Sequence, residues 1–196
     1  MKRAQAKRLA HTYADLSAQP RYRAATRFFL EDLYGEKDFS ARDREMLKIV
    51  PVMSRVLPAS AVETAAHAIE LEALSEALDQ RLAAALGDAH LDDAAYAAAY
   101  RESSTREERE RQVALVAAVG RRLDGLVRKP FISHTLKLMR QPARVAGLAD
   151  LQDFLERGFE AFRDMHGAHE FLETFSRREG RILEKLFSGA EDPFSA

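Results

Sequence analysis

Apolar side chains recur every three or four residues through most of the chain, and this spacing restricts the possible folds more than any other sequence feature. Near the N-terminus the spacing is carried by Tyr22, Ala25, Phe29 and Leu33. Side chains spaced in this way lie on one face of an α-helix, where a neighbouring element can cover them. No segment shows the alternation of apolar and polar residues that a half-buried strand needs. The sequence therefore predicts an all-α protein.

Glycine and capping sequences divide this pattern into separate helices. Gly87 and Gly147 each follow an apolar stripe and are expected to end a helix, because glycine adopts the left-handed conformation without a Cβ clash. Ser60-Ala61-Val62-Glu63 and Thr105-Arg106-Glu107-Glu108 match the capping box, in which hydroxyl and carboxylate satisfy orphan backbone amides. We expect a helix to begin at each of these two sequences.

Proline and one late glycine set the remaining boundaries. Pro130 is expected to open a helix, and Gln141-Pro142 to begin a separate short helical turn. Gly167 either divides two C-terminal helices or lies within one long helix. The prediction is a single-domain multi-helix bundle of about eight or nine helices over residues 1–187, followed by a frayed tail at 188–196.

Chain length and cysteine content exclude several classes of protein. The 196 residues, of which 46% are apolar, fit one domain with a sizeable core. The absence of cysteine excludes disulfides, thiolate metal sites and a cysteine nucleophile. The N-terminus has no apolar stretch typical of a signal peptide, and no apolar run is long enough to span a bilayer. We expect a cytoplasmic protein that does not enter the membrane.

Two stretches resemble a family of uncharacterised bacterial all-helical proteins. Residues 28–43 carry the signature FFLxDLYGxxDFSxRD, and residues 146–159 are similar to the C-terminal half of the same family. The resemblance extends over most of the chain and implies no established activity.

The C-terminal helix pair also resembles the last two globin helices. Ser133-His134-Thr135-Leu136, a proline break and Leu151-Gln152-Asp153-Phe154-Leu155 carry this second likeness. Where the globin pattern would supply a proximal histidine, this chain has Arg121, Arg122 and Arg128, which argues against haem binding by that route.

Two trios of histidine and glutamate have spacings that suit a transition metal. On a helix, His166, His169 and Glu173 would share one face, since they are three and four residues apart. Glu63, His67 and Glu70 have a similar spacing, but they lack the Glu-x-x-His order of bundle di-iron sites. Imidazole and carboxylate ligands bind zinc, iron or manganese. Exposed surface clusters are the more common explanation of such trios.

A group of aromatic residues, together with His134, offers a site for a small apolar ligand or cofactor. Aromatic rings can line a pocket for a flat ligand, but they are also the usual material of a helical core. His134 lies one turn from Phe131 and Leu138, so it is a candidate cofactor-binding residue or a satisfied core histidine. The aromatic residues are Tyr22, Phe28, Phe29, Tyr34, Phe39, Phe154, Phe159, Phe162, Phe171 and Phe175.

Charged residues are unevenly distributed along a chain whose net charge is only -1. Segments 1–27 and 121–144 are basic, whereas the segment 59–104 is acidic. Adjacent basic segments would offer a surface for phosphate or nucleic acid. Salt bridges, or an acidic face docking a basic one in a dimer, account for the same distribution. The second basic segment contains Arg121, Arg122, Arg128, Lys129, Lys137, Arg140 and Arg144.

The sequence favours a non-enzymatic helical binding or regulatory module that acts through a protein partner or as a homodimer. It contains no glycine-rich phosphate loop, Gly-x-Ser-x-Gly elbow, His-Glu-x-x-His motif or dinucleotide fingerprint. One alternative is a bundle that encloses a metal or a small apolar ligand, such as a metal-dependent oxidoreductase. A second alternative is binding of nucleic acid or phosphate through residues 1–27 and 121–144.

Overall fold

A computed structural model describes residues 2–33, 45, 59–87 and 92–194. Within these residues the chain forms nine α-helices and no strand, which confirms the predicted all-α fold of about eight or nine helices. The helices are α1 (Lys2–Thr12), α2 (Ala14–Ala18), α3 (Pro20–Phe28), α4 (Ala59–Leu86), α5 (Asp93–Ser103), α6 (Arg106–Val127), α7 (Pro130–Val145), α8 (Ala149–Asp164) and α9 (His169–Ser188). A π-helical turn, Phe29–Leu33, follows α3.

Several predicted helix ends are confirmed by their hydrogen bonds and backbone angles. At the start of α6 the Thr105 hydroxyl accepts from the Glu108 amide at 3.2 Å, and the Glu108 carboxylate accepts from the Thr105 amide at 2.9 Å. Helix α7 begins at Pro130. Gly87 and Gly147 follow α4 and α7 with φ of 51° and 71°. The capping and glycine signals therefore located these ends correctly.

Other boundaries differ from the prediction. Helix α7 continues through Pro142 to Val145, so the separate turn expected at Gln141-Pro142 is wrong. Pro142 is exposed, and the carbonyl that it leaves without an amide partner can be hydrated. Helix α4 already includes Ala59, so Ser60 lies within the helix and is not its cap. Gly167 divides two helices, which resolves the alternative left open by the sequence.

The chain divides into two compact units. Unit 1 comprises residues 1–64 and 121–168, and unit 2 comprises residues 65–120 and 169–196. The single domain expected over residues 1–187 stays a prediction.

The core of unit 1 is formed largely where α3 packs against α8. A close approach between the two helices depends on Gly158, because a Cβ atom there would lie 2.8 Å from Cζ of Phe28. The tight fit is typical of a helix pair in which a large ring packs on bare backbone. Buried side chains of this unit include Leu16, Tyr22, Phe28, Leu151, Phe159, Phe162 and Met165.

The core of unit 2 is organised around α9, whose apolar face is covered along its length. Leu172 packs against the backbone of α6 at Gly120, where a Cβ atom would lie 2.5 Å from Cδ2 of that leucine. The buried residues of α9 are Phe171, Leu172, Thr174, Phe175, Ile182, Leu183 and Leu186. Leu78, Leu82, Tyr96, Leu115 and Val116 are also buried in this unit.

Two residues of the C-terminal segment after α9 contact the rest of unit 2, and the frayed tail over residues 188–196 stays a prediction. The side chain of Pro193 is fully buried, and the ring of Phe194 lies 5.7 Å from that of Tyr96, measured between centroids. Two apolar residues near the end of the chain thus find cover within unit 2, which a simple composition argument did not predict. Residues 195 and 196 lie outside the described part of the chain.

The predicted aromatic group is shared between the two cores. Phe29 and Phe154 are half-buried, while Tyr34 and Phe39 lie outside the described residues. The other six rings have exposures below 10%, and this burial accounts for them as core residues. They are Tyr22, Phe28, Phe159 and Phe162 in unit 1, and Phe171 and Phe175 in unit 2.

Candidate functional site

The first predicted metal trio does not share a helical face. His166 precedes α9 and has a left-handed backbone, with φ of 53°. His169 is the first residue of α9, and its Nε2 atom lies 3.5 Å from Oε1 of Glu173. The side chains of this pair are 82% and 67% exposed, so solvent rather than protein surrounds them. Because the helix is interrupted at Gly167, His166 does not share a helical face with His169 and Glu173.

The second trio lies on α4 at the predicted spacing, but arginines bind its carboxylates. Glu63 accepts a hydrogen bond from Nη1 of Arg122 at 2.7 Å, and Glu70 accepts from Nε of Arg111 at 3.1 Å. Any cation would therefore compete with a guanidinium at both glutamates. His67, between them, is half-buried.

No three histidine, aspartate or glutamate side chains in the described ranges are placed to share a metal ion. A transition metal at either trio stays a prediction.

One arginine from each basic segment forms hydrogen bonds within unit 1. Arg21 donates from Nε to the Met165 carbonyl at 2.8 Å and from Nη2 to the Gly167 carbonyl at 3.1 Å. Arg128 donates to Asp124 at 2.6 Å, and the other Asp124 oxygen accepts from the Ala168 amide at 3.1 Å. These guanidiniums fix the turn after α8. Binding of nucleic acid or phosphate through the two segments stays a prediction.

Helix α7 carries the largest group of exposed apolar side chains identified in the described residues. Phe131, Leu138 and Val145 are 51%, 63% and 88% exposed, and Met139 is 41% exposed. Phe131, Leu138 and Val145 are spaced by seven residues, so they follow one line along the helix. We call the surface formed by Phe131, His134, Leu138 and Val145 the α7 surface.

His134, the predicted cofactor-binding residue, belongs to the α7 surface. Its side chain is exposed between Phe131 and Leu138, and not enclosed in a core. A cofactor role for His134 stays a prediction. Helical spacing places Phe131, Ile132, Leu136 and Met139 on one apolar stripe, but Phe131 and Met139 are exposed, and the buried side of α7 is formed mainly by Ala143 with half-buried Ile132 and Leu136.

A basic edge runs beside the α7 surface. Lys137, Arg140 and Arg144 are its three cationic residues, and α7 contains no acidic residue. Lys137 and Arg144 are seven residues apart and exposed, so both accompany the apolar line. The α7 surface and its edge therefore combine apolar area with positive charge, and they would attract an acidic partner.

Arg140 and Gln152 hold α7 against α8 through polar contacts. Arg140 donates to both carboxylate oxygens of Glu156, at 2.8 Å from Nε and 2.6 Å from Nη2. Gln152, which is 7% exposed, donates to the Leu136 carbonyl and to Glu156, each at 2.7 Å. Hydrogen bonding by Arg140 holds the pKa of the Glu156 carboxyl below its usual value, outweighing the opposite effect of burial.

A polar pocket lies at the C-terminal end of the basic edge, between α7 and α8. Its volume is about 240 Å³, and Arg144 reaches it beside the Arg140–Glu156 pair. Mixed charges line it, so it suits a polar side chain better than an apolar ligand. The lining residues are Arg140, Arg144, Ala149, Gln152, Asp153 and Glu156.

Two buried charged residues were not singled out by sequence reasoning. Asp32, in the π-helical turn, is 6% exposed and accepts from Nε and Nη2 of Arg157 at 3.1 and 2.8 Å. In unit 2, Arg109 is 3% exposed and lies 4.1 Å over the Tyr100 ring. It donates to Ser104 and Gln112, and its Nη2 has no hydrogen-bond partner. Sequence spacing gives no signal for either site.

Taken together, these features define an all-α protein whose exposed apolar line and basic edge lie on one helix. The chain belongs to the family described as domain of unknown function DUF8198, whose model matches residues 1–193. The family match confirms the prediction that the chain belongs to an uncharacterised family, whereas the signature at residues 28–43 stays a prediction. No curated protein and no solved structure matches the chain. Among the described helices, none is both long and apolar enough to cross a bilayer.

Proposed function

We propose that this protein is a non-catalytic binding module that recognises a protein partner through the α7 surface. The observation that carries the proposal is the exposure of Phe131, Leu138 and Val145 along one line of a folded helix. Exposed apolar side chains at this spacing are typical of helices that dock against another helix. These three side chains are in contact with water in the isolated chain, and a partner that covers them would stabilise a complex.

The basic edge indicates what kind of partner fits. Lys137 and Arg144 are exposed beside the apolar line, so a partner helix with acidic residues along one edge would be attracted and oriented. The net charge of -1 for the whole chain provides no general attraction to an anionic membrane. A protein partner with a local acidic surface therefore fits the α7 surface better than a lipid bilayer does.

Photochemical crosslinking tests this proposal at single positions. A benzophenone amino acid replaces Leu138 in one variant and Val145 in a second. In a control variant it replaces Glu173, which is also exposed but lies on α9. We expect irradiation of cells to give a crosslinked product of discrete mass from positions 138 and 145 but not from position 173.

Two outcomes would refute this function. One is the absence of a discrete product from both α7 positions, and the other is equal crosslinking from the control. A separate measurement distinguishes a protein partner from a lipid surface. If the wild type co-sediments with vesicles of anionic phospholipid and Leu138→Asp does not, α7 is a membrane-binding helix instead.

A further inference from the structure

We infer that the partner of the α7 surface is a second copy of this chain, which docks the solvent face of its α4 there. This inference rests on the proposed function, and it names the partner for the same surface. The α7 surface presents large side chains, Phe131, Leu138 and Val145, that project from the helix at intervals of seven residues. Large side chains interdigitate well with a partner helix that presents small residues at the facing positions. The basic edge also requires acidic residues beside them.

The solvent face of α4 meets both requirements. Four exposed alanines lie on one side of this helix, since steps of seven and eleven residues return to the same face. They are Ala66, Ala73, Ala77 and Ala84. We call this set the α4 alanine face.

Acidic residues border the α4 alanine face on both edges. Glu63 and Glu70 lie along one edge, and Glu72 and Glu76 lie along the other. The acidic residues of α4 outnumber its one arginine, Arg81, which forms an ion pair with Glu108. Arg122 and Arg111 already pair with Glu63 and Glu70, so a basic helix docked on the alanine face meets the carboxylates of Glu72 and Glu76 along the other edge.

The two faces also match in length and spacing. Helix α7 has 16 residues and α4 has 28, so the whole α7 surface fits along α4. The interval of seven residues that separates Phe131, Leu138 and Val145 also separates Ala66 from Ala73 and Ala77 from Ala84. Equal intervals allow two consecutive large side chains to meet Ala66 and Ala73, or Ala77 and Ala84, along the contact.

Charge complementarity is what favours a second copy as the occupant. The basic edge of α7 and the acidic edge of α4 attract each other. If α7 docked on α7 of the other copy, Lys137 and Arg144 would lie near the same two cations of that copy. The contact joins two different surfaces, α7 of one copy and α4 of the other. If it forms twice between the same two copies, a closed dimer results. If each copy contacts a different neighbour at each surface, longer assemblies result. Light scattering as a function of concentration distinguishes these assemblies from a monomer.

Exchange of charge between the two surfaces tests the inference directly. One variant carries Lys137→Glu and Arg144→Glu on α7. The other carries Glu72→Lys and Glu76→Lys, which lie beside Ala73 and Ala77 in the middle of the α4 alanine face. We expect each variant alone to self-associate at least about tenfold more weakly than the wild type, because like charges then meet. A mixture of the two variants should recover wild-type affinity to within about threefold, since opposite charges meet again.

Control measurements keep the comparison valid. Both variants change exposed side chains, so circular dichroism and urea unfolding should match the wild type. Arg23→Glu with Arg27→Glu reverses two exposed cations on α3 and should leave self-association unchanged. Sodium chloride should weaken the wild-type assembly, because the paired edges are screened by salt.

The outcomes separate this inference from the proposed function. A wild-type chain that is monomeric at all concentrations, or a mixture that stays monomeric, overturns the second copy as partner. If crosslinking from position 138 then still gives a product with a different protein, the proposed function stands without this partner. If the product has twice the mass of the chain, both are supported. Absence of any product from α7 removes both.

Discussion

Helices α7 and α9 are both strongly amphipathic in sequence, but their apolar faces have different surroundings in the structure. On α9, Phe175 and Leu186 are 6% and 2% exposed, whereas on α7 Leu138 and Val145 are 63% and 88% exposed. Amphipathic spacing identifies the side of a helix that gains from being covered. The spacing does not specify whether the cover comes from the same chain. The exposed face of α7 is for that reason the more informative one about function.

The largest expected difference between the two helices concerns stability. Phe175→Ala removes a buried ring from α9 and should lower the free energy of unfolding by about 3–5 kcal/mol. Leu138→Ala removes an exposed side chain from α7 and should change that free energy by less than about 0.5 kcal/mol. Urea unfolding at low protein concentration measures both values. Similar losses in the two variants would mean that α7 is covered within the monomer.

The second prediction concerns the close packing that covers α9. In Gly120→Ala the new Cβ meets Leu172 of α9, which should lower the free energy of unfolding by about 1–3 kcal/mol. Gly125 lies on the same helix with nothing near its Cβ position, so Gly125→Ala should raise that free energy by up to about 1 kcal/mol. Thermal unfolding checks the opposite signs. Stabilisation by both substitutions would show that α6 and α9 do not approach as closely as described.

The third prediction concerns how α7 is held on α8. Gln152→Ala removes the buried amide that donates to the Leu136 carbonyl, and should cost about 1–2 kcal/mol in the free energy of unfolding. Hydrogen exchange should become faster in α7 and remain unchanged in α9. Gln141→Ala, at an exposed position on α7, serves as the matched control with little change in exchange. Uniform acceleration in both helices would argue that α7 has no separate polar attachment.

The smallest expected effect depends on pH and concerns the same attachment. The Arg140 guanidinium lowers the pKa of Glu156 in the folded chain from its ordinary value of 4.5. The folded state therefore favours the ionised carboxylate, and this stabilisation is complete above the ordinary value and is lost as the pH falls through the lowered one. The melting temperature of wild type should exceed that of Glu156→Gln at neutral pH, and the difference should shrink in acid. Glu160→Gln, an exposed change on α8, should show no such trend.

Local sequence signals predicted the helices better than they predicted the surroundings of each helix. The capping box at Thr105 and the glycines after α4 and α7 act through backbone groups nearby in sequence, so they located helix ends correctly. The missing amide of Pro142 opposes a helix interior, so local signals predict a separate turn there. Exposure to solvent makes that defect tolerable in α7, and exposure is a property of tertiary structure.

At the candidate site, too, the sequence predicted helical positions better than it predicted what surrounds each side chain. Phe131 and Met139 fit an inward-facing stripe by spacing, but no contact within the sequence determines what would cover them. Glutamine is usually exposed, yet Gln152 is buried because its amide donates to the Leu136 carbonyl of α7 and to Glu156 on its own helix. His166 was placed on a helix with His169, whereas a left-handed backbone at two consecutive residues separates them. The contact that decides the burial of Gln152 comes from another helix, and Arg21 of α3 holds the turn at His166, so neither is visible in local spacing.

The guanidinium of Arg109, enclosed between Tyr100 and polar side chains of unit 2, places a planar cationic group inside that unit. A guanidinium is delocalised and more weakly hydrated than an ammonium, so it gives up less solvation when it is buried. A lysine at the same position would present a compact, strongly hydrated ammonium and could not reproduce the same set of contacts. The Ser104 hydroxyl, the Gln112 amide oxygen and the Tyr100 ring face moderate the field of Arg109, and the neighbouring Glu108 carboxylate contributes the opposite charge.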